Sequence, residues 1–270
     1  MQNKISLNCS SFVAKQYGYK PGDDWGIRVD AVNAFYAHLD TFQERFNALI
    51  LEAKEMGYHA IDIWTPGQLS WNWATDAHIE IATDLLAQHK IEVTSIGGEF
   101  GDTREKFISA CELAVGVGTN LLSGTVPLLF TDRDFLVKML QQYNLRLAIE
   151  NHPEKSPDEM IVHIGDTGNG RIGTAVDTGW YVSQGFDAAE AIRILNHHVF
   201  HIHLKDVRAV GEHVNCGYGQ GIVALEACIK ALKDIGYTGS ISIENHCFDH
   251  DPADELKEAL SMLKMWMKET

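Results

Sequence analysis

Val199-Phe200-His201-Ile202-His203-Leu204-Lys205-Asp206 is the stretch whose reading decides the fold. On an extended chain successive side chains alternate faces, so Phe200, Ile202 and Leu204 point one way and His201, His203 and Lys205 the other. One face suits a core and the other suits chemistry. The design recurs at 145–151, where Leu145, Leu147 and Ile149 oppose Arg146, Ala148 and Glu150, and at 171–177, where Ile172 and Val176 oppose Gly173, Ala175 and Asp177. It recurs again at 240–246, where Ile241 and Ile243 oppose Ser242, Glu244 and His246. A lone His or Glu at a strand end is ordinarily a solvated or capped polar residue. Four of them, Glu150, Asp177, His203 and Glu244, stand 27, 26 and 41 residues apart. A strand plus its crossover helix takes roughly 30 residues or more, so the four groups fall on successive parallel strands at the same end.

Outward from these strands the pattern fills in. Residues 4–9, 58–64, 90–96 and 119–123 read as four earlier strands, the third ending at Gly97-Gly98-Glu99. Helical periodicity with caps covers 41–56, 76–89, 103–117, 132–142, a short helix opening at Ser156-Pro157, and then 187–195, 222–235 and 252–267. Thr41 with Glu44 gives a capping-box pattern for the first of these, and Gly57 a stop. Eight strands alternating with eight helices call for a parallel sheet of the α/β class, and at 270 residues one closed (β/α)8 TIM barrel fits better than an open sheet. With six scattered prolines and no linker, residues 1–270 read as a single domain. Between the first strand and first helix, 10–40 is too long for an ordinary connection. Its Phe12, Tyr17, Tyr19 and Trp25 predict an ordered lid loop.

The charge balance of 22 basic against 37 acidic residues, net −15, excludes nucleic acid and anionic membrane surfaces as partners. Five cysteines without a Cys-x-x-Cys pair predict reduced thiols, and no apolar run approaches a membrane span or a signal-peptide core. A cytoplasmic protein is expected. Three carboxylates and one imidazole are a hard, oxygen-rich donor set, suited first to Mn²⁺ and then to Mg²⁺, Co²⁺ or Zn²⁺. Such an ion chelated by a hydroxyl and an adjacent carbonyl stabilises the enediolate formed when a proton leaves the carbon between them.

Together, Glu150-Asn151-His152-Pro153, Val176-Asp177-Thr178-Gly179, His201-Ile202-His203-Leu204-Lys205-Asp206 and Ile243-Glu244-Asn245 resemble the xylose-isomerase-like barrel superfamily of sugar isomerases and epimerases, over nearly the whole chain. The resemblance implies that Glu150, Asp177, His203 and Glu244 bind the metal. It also implies that Glu150 and Glu244 move the proton on opposite faces of the sugar, as in the ketose 3-epimerases. Trp180 stands where those enzymes and the related inosose dehydratases carry a His, and Ser156 where a glutamate is expected. Glu150-x-His152 resembles lyase members of the superfamily, including the catalytic subunit that cleaves 3-oxo-C-glycosides, in which a His at that place is the base. A neutral imidazole suits removal of a proton alpha to a ketone near neutral pH. The expected activity is therefore a sugar isomerase or epimerase, with a lyase using the same site as the alternative. The expected partner is a small sugar, keto-sugar or cyclitol, and the expected assembly a homo-oligomer or a complex with a small accessory subunit.

Around this set, Lys205 either hydrogen-bonds substrate oxygens or pairs with a neighbouring carboxylate. Arg208 offers a clamp for a hydroxyl or carboxylate, and His246 sits two residues past Glu244, where it can support that ligand. Trp64, Trp71, Trp73 and Trp180 are candidates for a sugar-stacking wall. Gly217-Tyr218-Gly219-Gln220-Gly221 follows the seventh strand, a common place for phosphate in barrels, but has no Lys or Arg cluster beside it. It reads as a plain loop, and the substrate as unphosphorylated.

Overall fold

The strand-end pattern is realised as a ring. The computed structural model describes residues 2–22 and 24–269, and in it β1 (Ile5–Asn8), β2 (Ala60–Thr65), β3 (Glu92–Glu99), β4 (Leu121–Thr125), β5 (Arg146–Glu150), β6 (Ile172–Asp177), β7 (Val199–Leu204) and β10 (Ile241–Ile243) close into a parallel barrel. The order round the ring is β1-β10-β7-β6-β5-β4-β3-β2. Its register sets Asp177 beside His203, and His203 beside Ser242, which brings the strand ends to one rim. Leu147, Ile149, Val176, Ile202, Leu204, Ile241 and Ile243 join the core packed by the surrounding helices. Buried Ser6, Ser123, Ala148, Ala175 and Ser242 are small residues that leave room for larger polar groups inside the barrel.

The helices form where apolar stripes and caps fall. In α2 (Leu39–Glu55) Phe42, Phe46, Leu49, Ile50 and Ala53 are buried at helical spacing. It starts two residues before the expected capping box, because Thr41 Oγ1 turns back to donate to the His38 carbonyl. α3 (Asp76–His89) spans the expected residues, α4 (Arg104–Gly116), α5 (Leu128–Thr131) and α6 (Arg133–Gln142) follow, and Ser156 caps α7 (Pro157–Ile164) with Pro157 in its first turn. No helix among the described residues is long and apolar enough to cross a membrane.

Three segments differ from what the sequence predicts. Residues 10–40 are not irregular: short 3-10 turns at Cys9–Phe12 and Lys15–Tyr17 lead into α1 (Trp25–Tyr36). The helix lacks an apolar stripe because its buried face is Arg28, Val32 and Tyr36. Arg28, 1 % exposed, is accommodated by the carbonyls of Lys20 and Asp24 and by the ring of Phe248 at 4.4 Å. The second difference is a hairpin of β8 (Asp206–Ala209) and β9 (Glu212–Cys216), which projects straight from the end of β7. β3 also runs on through Gly97 and Gly98, residues that read as a stop. Gly98 has φ +129°, and a Cβ there would lie 1.6 Å from the Thr65 carbonyl oxygen, so only glycine lets these strands approach.

Candidate active site

Glu150, Asp177, His203 and Glu244 meet at the rim, each offering a ligand atom within 4.8 Å of the others. His203 Nδ1 lies 2.6 Å from Glu150 Oε1 and 3.2 Å from Glu244 Oε2. Lys205 Nζ donates to Asp177 Oδ2 and to Glu244 Oε1, both at 2.8 Å, and the lysine is 1 % exposed. The strand ends are tied locally. Asp177 Oδ1 accepts from the Trp180 amide at 2.8 Å, capping α8 (Thr178–Ser183), so that only its other oxygen turns to the cluster. Asn151 bonds both backbone groups of Asp177, and Thr178 Oγ1 bonds those of Lys205, which fixes β5, β6 and β7 against one another. Asn8, at the end of β1, donates to Glu244 Oε2 at 3.1 Å.

The electrostatics describe a site short of positive charge. Burial alone would push the His203 pKa down, yet Glu150, Glu244 and Asp177 carry it up to about 10. Burial alone would raise the carboxyls of Asp177 and Glu244, yet Lys205 chiefly holds both well below the usual carboxylate range. A metal takes His203 only as the neutral imidazole, and once that proton has left, three carboxylates and one ammonium leave a deficit of two charges, the amount a divalent ion supplies. Oxygen and nitrogen donors bind such ions at about 2.0–2.2 Å, so donor atoms on opposite sides of one ion stand roughly 4 Å apart, within the 4.8 Å that contains all four candidate donors. The donor set and its charge therefore fit a divalent metal.

A cavity of about 410 Å³ opens above the cluster, lined by Glu150, His152, His203, Glu244 and His246 at its floor and by Trp25, Trp64, Asp30, Gly97, Gly98 and Glu99 on its walls. His152 stands between two of these carboxylates, with Nδ1 3.7 Å from Glu150 Oε2 and Nε2 3.6 Å from Asp177 Oδ2, its ring edge-on to Trp180 at 4.3 Å. Burial opposes its protonation, but Glu150 and Asp177 outweigh it and hold the pKa above the ordinary value. His246 Nε2 lies 2.7 Å from Glu244 Oε1 and 2.8 Å from Ser10 Oγ, and burial keeps its pKa below the ordinary value.

Of the sequence-predicted residues, Trp64 and His246 line the cavity, while Trp180 stands behind His152. Lys205 lies beneath the carboxylates, and Arg208 is exposed on β8, away from the cavity lining. Trp71 donates to the Glu99 carbonyl, and Trp73 packs on Phe42 and His78; neither lines the cavity. The tryptophan that does join Trp64 is Trp25, at 5.5 Å, carried by the unexpected α1. His213, on β9, lies 4.6 Å from Trp180. Below the rim, Asp62 on β2 meets His201 Nε2 in a buried hydrogen bond of 3.0 Å across the barrel, a partner not among the residues expected from sequence.

Beyond the geometry, the chain shares 25 % identity over 136 residues, 47 % of its length, with an uncharacterized protein of Methanocaldococcus jannaschii. It shares 35 % over 71 residues, 26 % of its length, with L-ribulose-5-phosphate 3-epimerase UlaE of Escherichia coli. These matches span 46 % and 25 % of the two relatives, about half their length or less. Among solved structures, a xylose isomerase-like TIM barrel protein from Mycobacterium smegmatis in complex with magnesium superposes with a TM-score of 0.72 at 15 % identity, over 99 % of this chain and 97 % of that one. A D-tagatose 3-epimerase-like protein gives 0.70 at 17 % identity, over 98 % and 97 %. The probable 3-DHS dehydratase AsbF from Bacillus anthracis gives 0.66 at 18 %, over 97 % and 98 %. Residues 50–266 match the model of the xylose isomerase-like TIM barrel, and with the closed parallel barrel already in view, the chain belongs to that family.

Proposed function

We propose that the protein is a divalent-metal-dependent sugar isomerase or epimerase that moves a proton alpha to a ketone. The observation that carries this reading is the placing of Glu150 and Glu244 against the same His203 nitrogen, both lining one cavity. Two carboxylates so placed can take a proton from one position and return it at another. A divalent ion, Mn²⁺ first, held by Glu150, Asp177, His203 and Glu244 would supply the positive charge that polarises the ketone. The chain's own groups set up the rest. Lys205 keeps Glu244 ionised, while Asn8 and His246 fix its two oxygens. Trp25 and Trp64 offer an aromatic wall to the C–H face of a sugar ring. The epimerases among its relatives and structural neighbours support the same reaction class.

In this reading α1 and the turns before it form the lid over bound sugar, since Trp25, 38 % exposed, overhangs the cavity mouth. Substrate should slow limited proteolysis within residues 10–40; equal cleavage rates with and without substrate would remove the lid.

One observation favours a second outcome at the same site. His152 lines the cavity with its imidazole 3.7 Å from Glu150 Oε2 and 3.6 Å from Asp177 Oδ2, a placing that suits it to exchange a proton as a lyase base. Metal-loaded protein incubated in D₂O with ketoses, inososes and 3-oxo-glucosides separates the two. As an isomerase or epimerase, His152→Gln should retain α-proton exchange within about tenfold of the native rate, because Glu150 and Glu244 carry the proton. A loss of roughly 10² to 10⁴, the usual worth of a general base, with metal content unchanged, would assign the protein to the lyases.

A further inference from the structure

The cavity contains four carboxylates in its lining, those of Asp30, Glu99, Glu150 and Glu244, and no lysine or arginine. Its three imidazoles all face carboxylates: His152 stands between Glu150 and Asp177, His203 between Glu150 and Glu244, and His246 against Glu244. Lys205 is fully engaged beneath them. Once Lys205 and a divalent ion balance Glu150, Asp177 and Glu244, the exposed Asp30 and Glu99 remain, and neither forms an ion pair among the described residues.

The backbone gives the same sign. The loop Gly217-Tyr218-Gly219-Gln220-Gly221 does present converging amides, as a phosphate site would. Those amides are already filled by the chain itself. Asp206 Oδ2 accepts from Gly219 and Gly221 at 3.0 and 3.1 Å, and Oδ1 from Val207 and Val223 at 3.0 and 3.1 Å. A Cβ on Gly221 would sit 2.3 Å from Asp206 Oδ1, so the loop is built around this internal carboxylate. The cavity wall that carries Asp30 is otherwise aromatic, with Trp25 at 5.5 Å from Trp64 and 5.1 Å from His246, and it adds no positive side chain.

We propose that the cavity selects uncharged polyhydroxy carbonyl compounds against their phosphorylated or carboxylated counterparts, and that Asp30 and Glu99 are the residues that set this selectivity. The inference rests on the cavity being the substrate site, and not on which reaction follows there. A phosphate dianion next to two uncompensated carboxylates in a solvated mouth is disfavoured by on the order of tenfold per carboxylate at low salt, less as salt screens them.

The test reads binding rather than turnover. Mn²⁺-loaded protein would be titrated with D-fructose and D-tagatose, each against its 6-phosphate, and with inorganic phosphate, following the Mn²⁺-induced relaxation of ligand protons and, for phosphate, of ³¹P. At low ionic strength each 6-phosphate should bind at least about 30-fold more weakly than its parent ketose. In the double variant Asp30→Asn, Glu99→Gln that ratio should fall by about tenfold or more, and added salt should reduce it in the native protein. A 6-phosphate binding as tightly as its ketose, binding by neither ketose, or a ratio unmoved in the double variant would overturn the proposal. Failure of the isomerase reading would appear separately, as absent deuterium exchange with these binding ratios intact.

Discussion

Lys205→Met should cost the metal-stripped protein about 3–5 kcal/mol of stability, the usual result of removing one partner from a buried ion pair. The lysine is 1 % exposed and donates at 2.8 Å to Asp177 and to Glu244, which are themselves buried. Methionine fills similar space but supplies no charge, so two carboxylates held ionised chiefly by that ammonium would be left facing Glu150. In a chain of this size the loss corresponds to a fall in Tm of roughly 10 °C. Loading with Mn²⁺ should restore part of it, because the ion neutralises the same carboxylates. Chemical denaturation of stripped and loaded protein would check both statements, and a loss under about 1 kcal/mol in the stripped protein would mean that Lys205 does not hold the cluster together.

Single replacement of Glu150, Asp177, His203 or Glu244 should weaken divalent-metal binding by about 100-fold or more, with the barrel still folded. Changes one step further from a metal already cost about 10–100-fold, so loss of a direct donor sets that as a lower bound. The choice of substitution matters at Asp177. Its Oδ1 caps α8 through the Trp180 amide, and alanine would remove that cap together with the ligand. Asparagine keeps an oxygen for the cap, worth about 1 kcal/mol, while removing the charge. Alanine is adequate at the other three. Metal content after dialysis at fixed free Mn²⁺, with circular dichroism as the folding control, gives the result. Wild-type affinity in any one variant would take that residue out of the site.

That Glu150, Asp177, His203 and Glu244 meet at one rim was legible because each stands at the end of a strand whose other face is mostly apolar, and because their spacing repeats a strand and a crossover helix. What was not legible had a physical reason in each case. α1 buries an arginine where a helix stripe would have an apolar residue, so the sequence carries no helical signal at 25–36 and leaves Trp25 and Asp30 inside the expected lid loop at 10–40 rather than on a cavity-lining helix. Glu99 lies beyond two glycines that ordinarily end a strand, yet here they let β3 approach β2 closely enough to continue. Trp71 and Trp73 stand close to Trp64 in sequence, but the indole nitrogen of Trp71 is held by a backbone carbonyl and that of Trp73 by Asn33, outside the cavity. The Asp62–His201 pair could have been found from alternation alone. Asp62 interrupts Ala60-Ile61-Asp62-Ile63-Trp64 on the inward face, and the barrel closes it against β7.

We propose that one divalent ion held by Glu150, Asp177, His203 and Glu244 is required for removal of a proton alpha to a ketone. The measurement that tests it most directly is deuterium incorporation from D₂O at the carbon beside the carbonyl, followed by NMR while stripped protein is titrated with Mn²⁺. The stripped protein should show no exchange above background, the rate should rise and level off at one Mn²⁺ per chain, and Asp177→Asn should show no rise over the same range. Full exchange in the metal-free protein would contradict it, as would saturation of the metal with no exchange from any ketose, inosose or 3-oxo-glucoside.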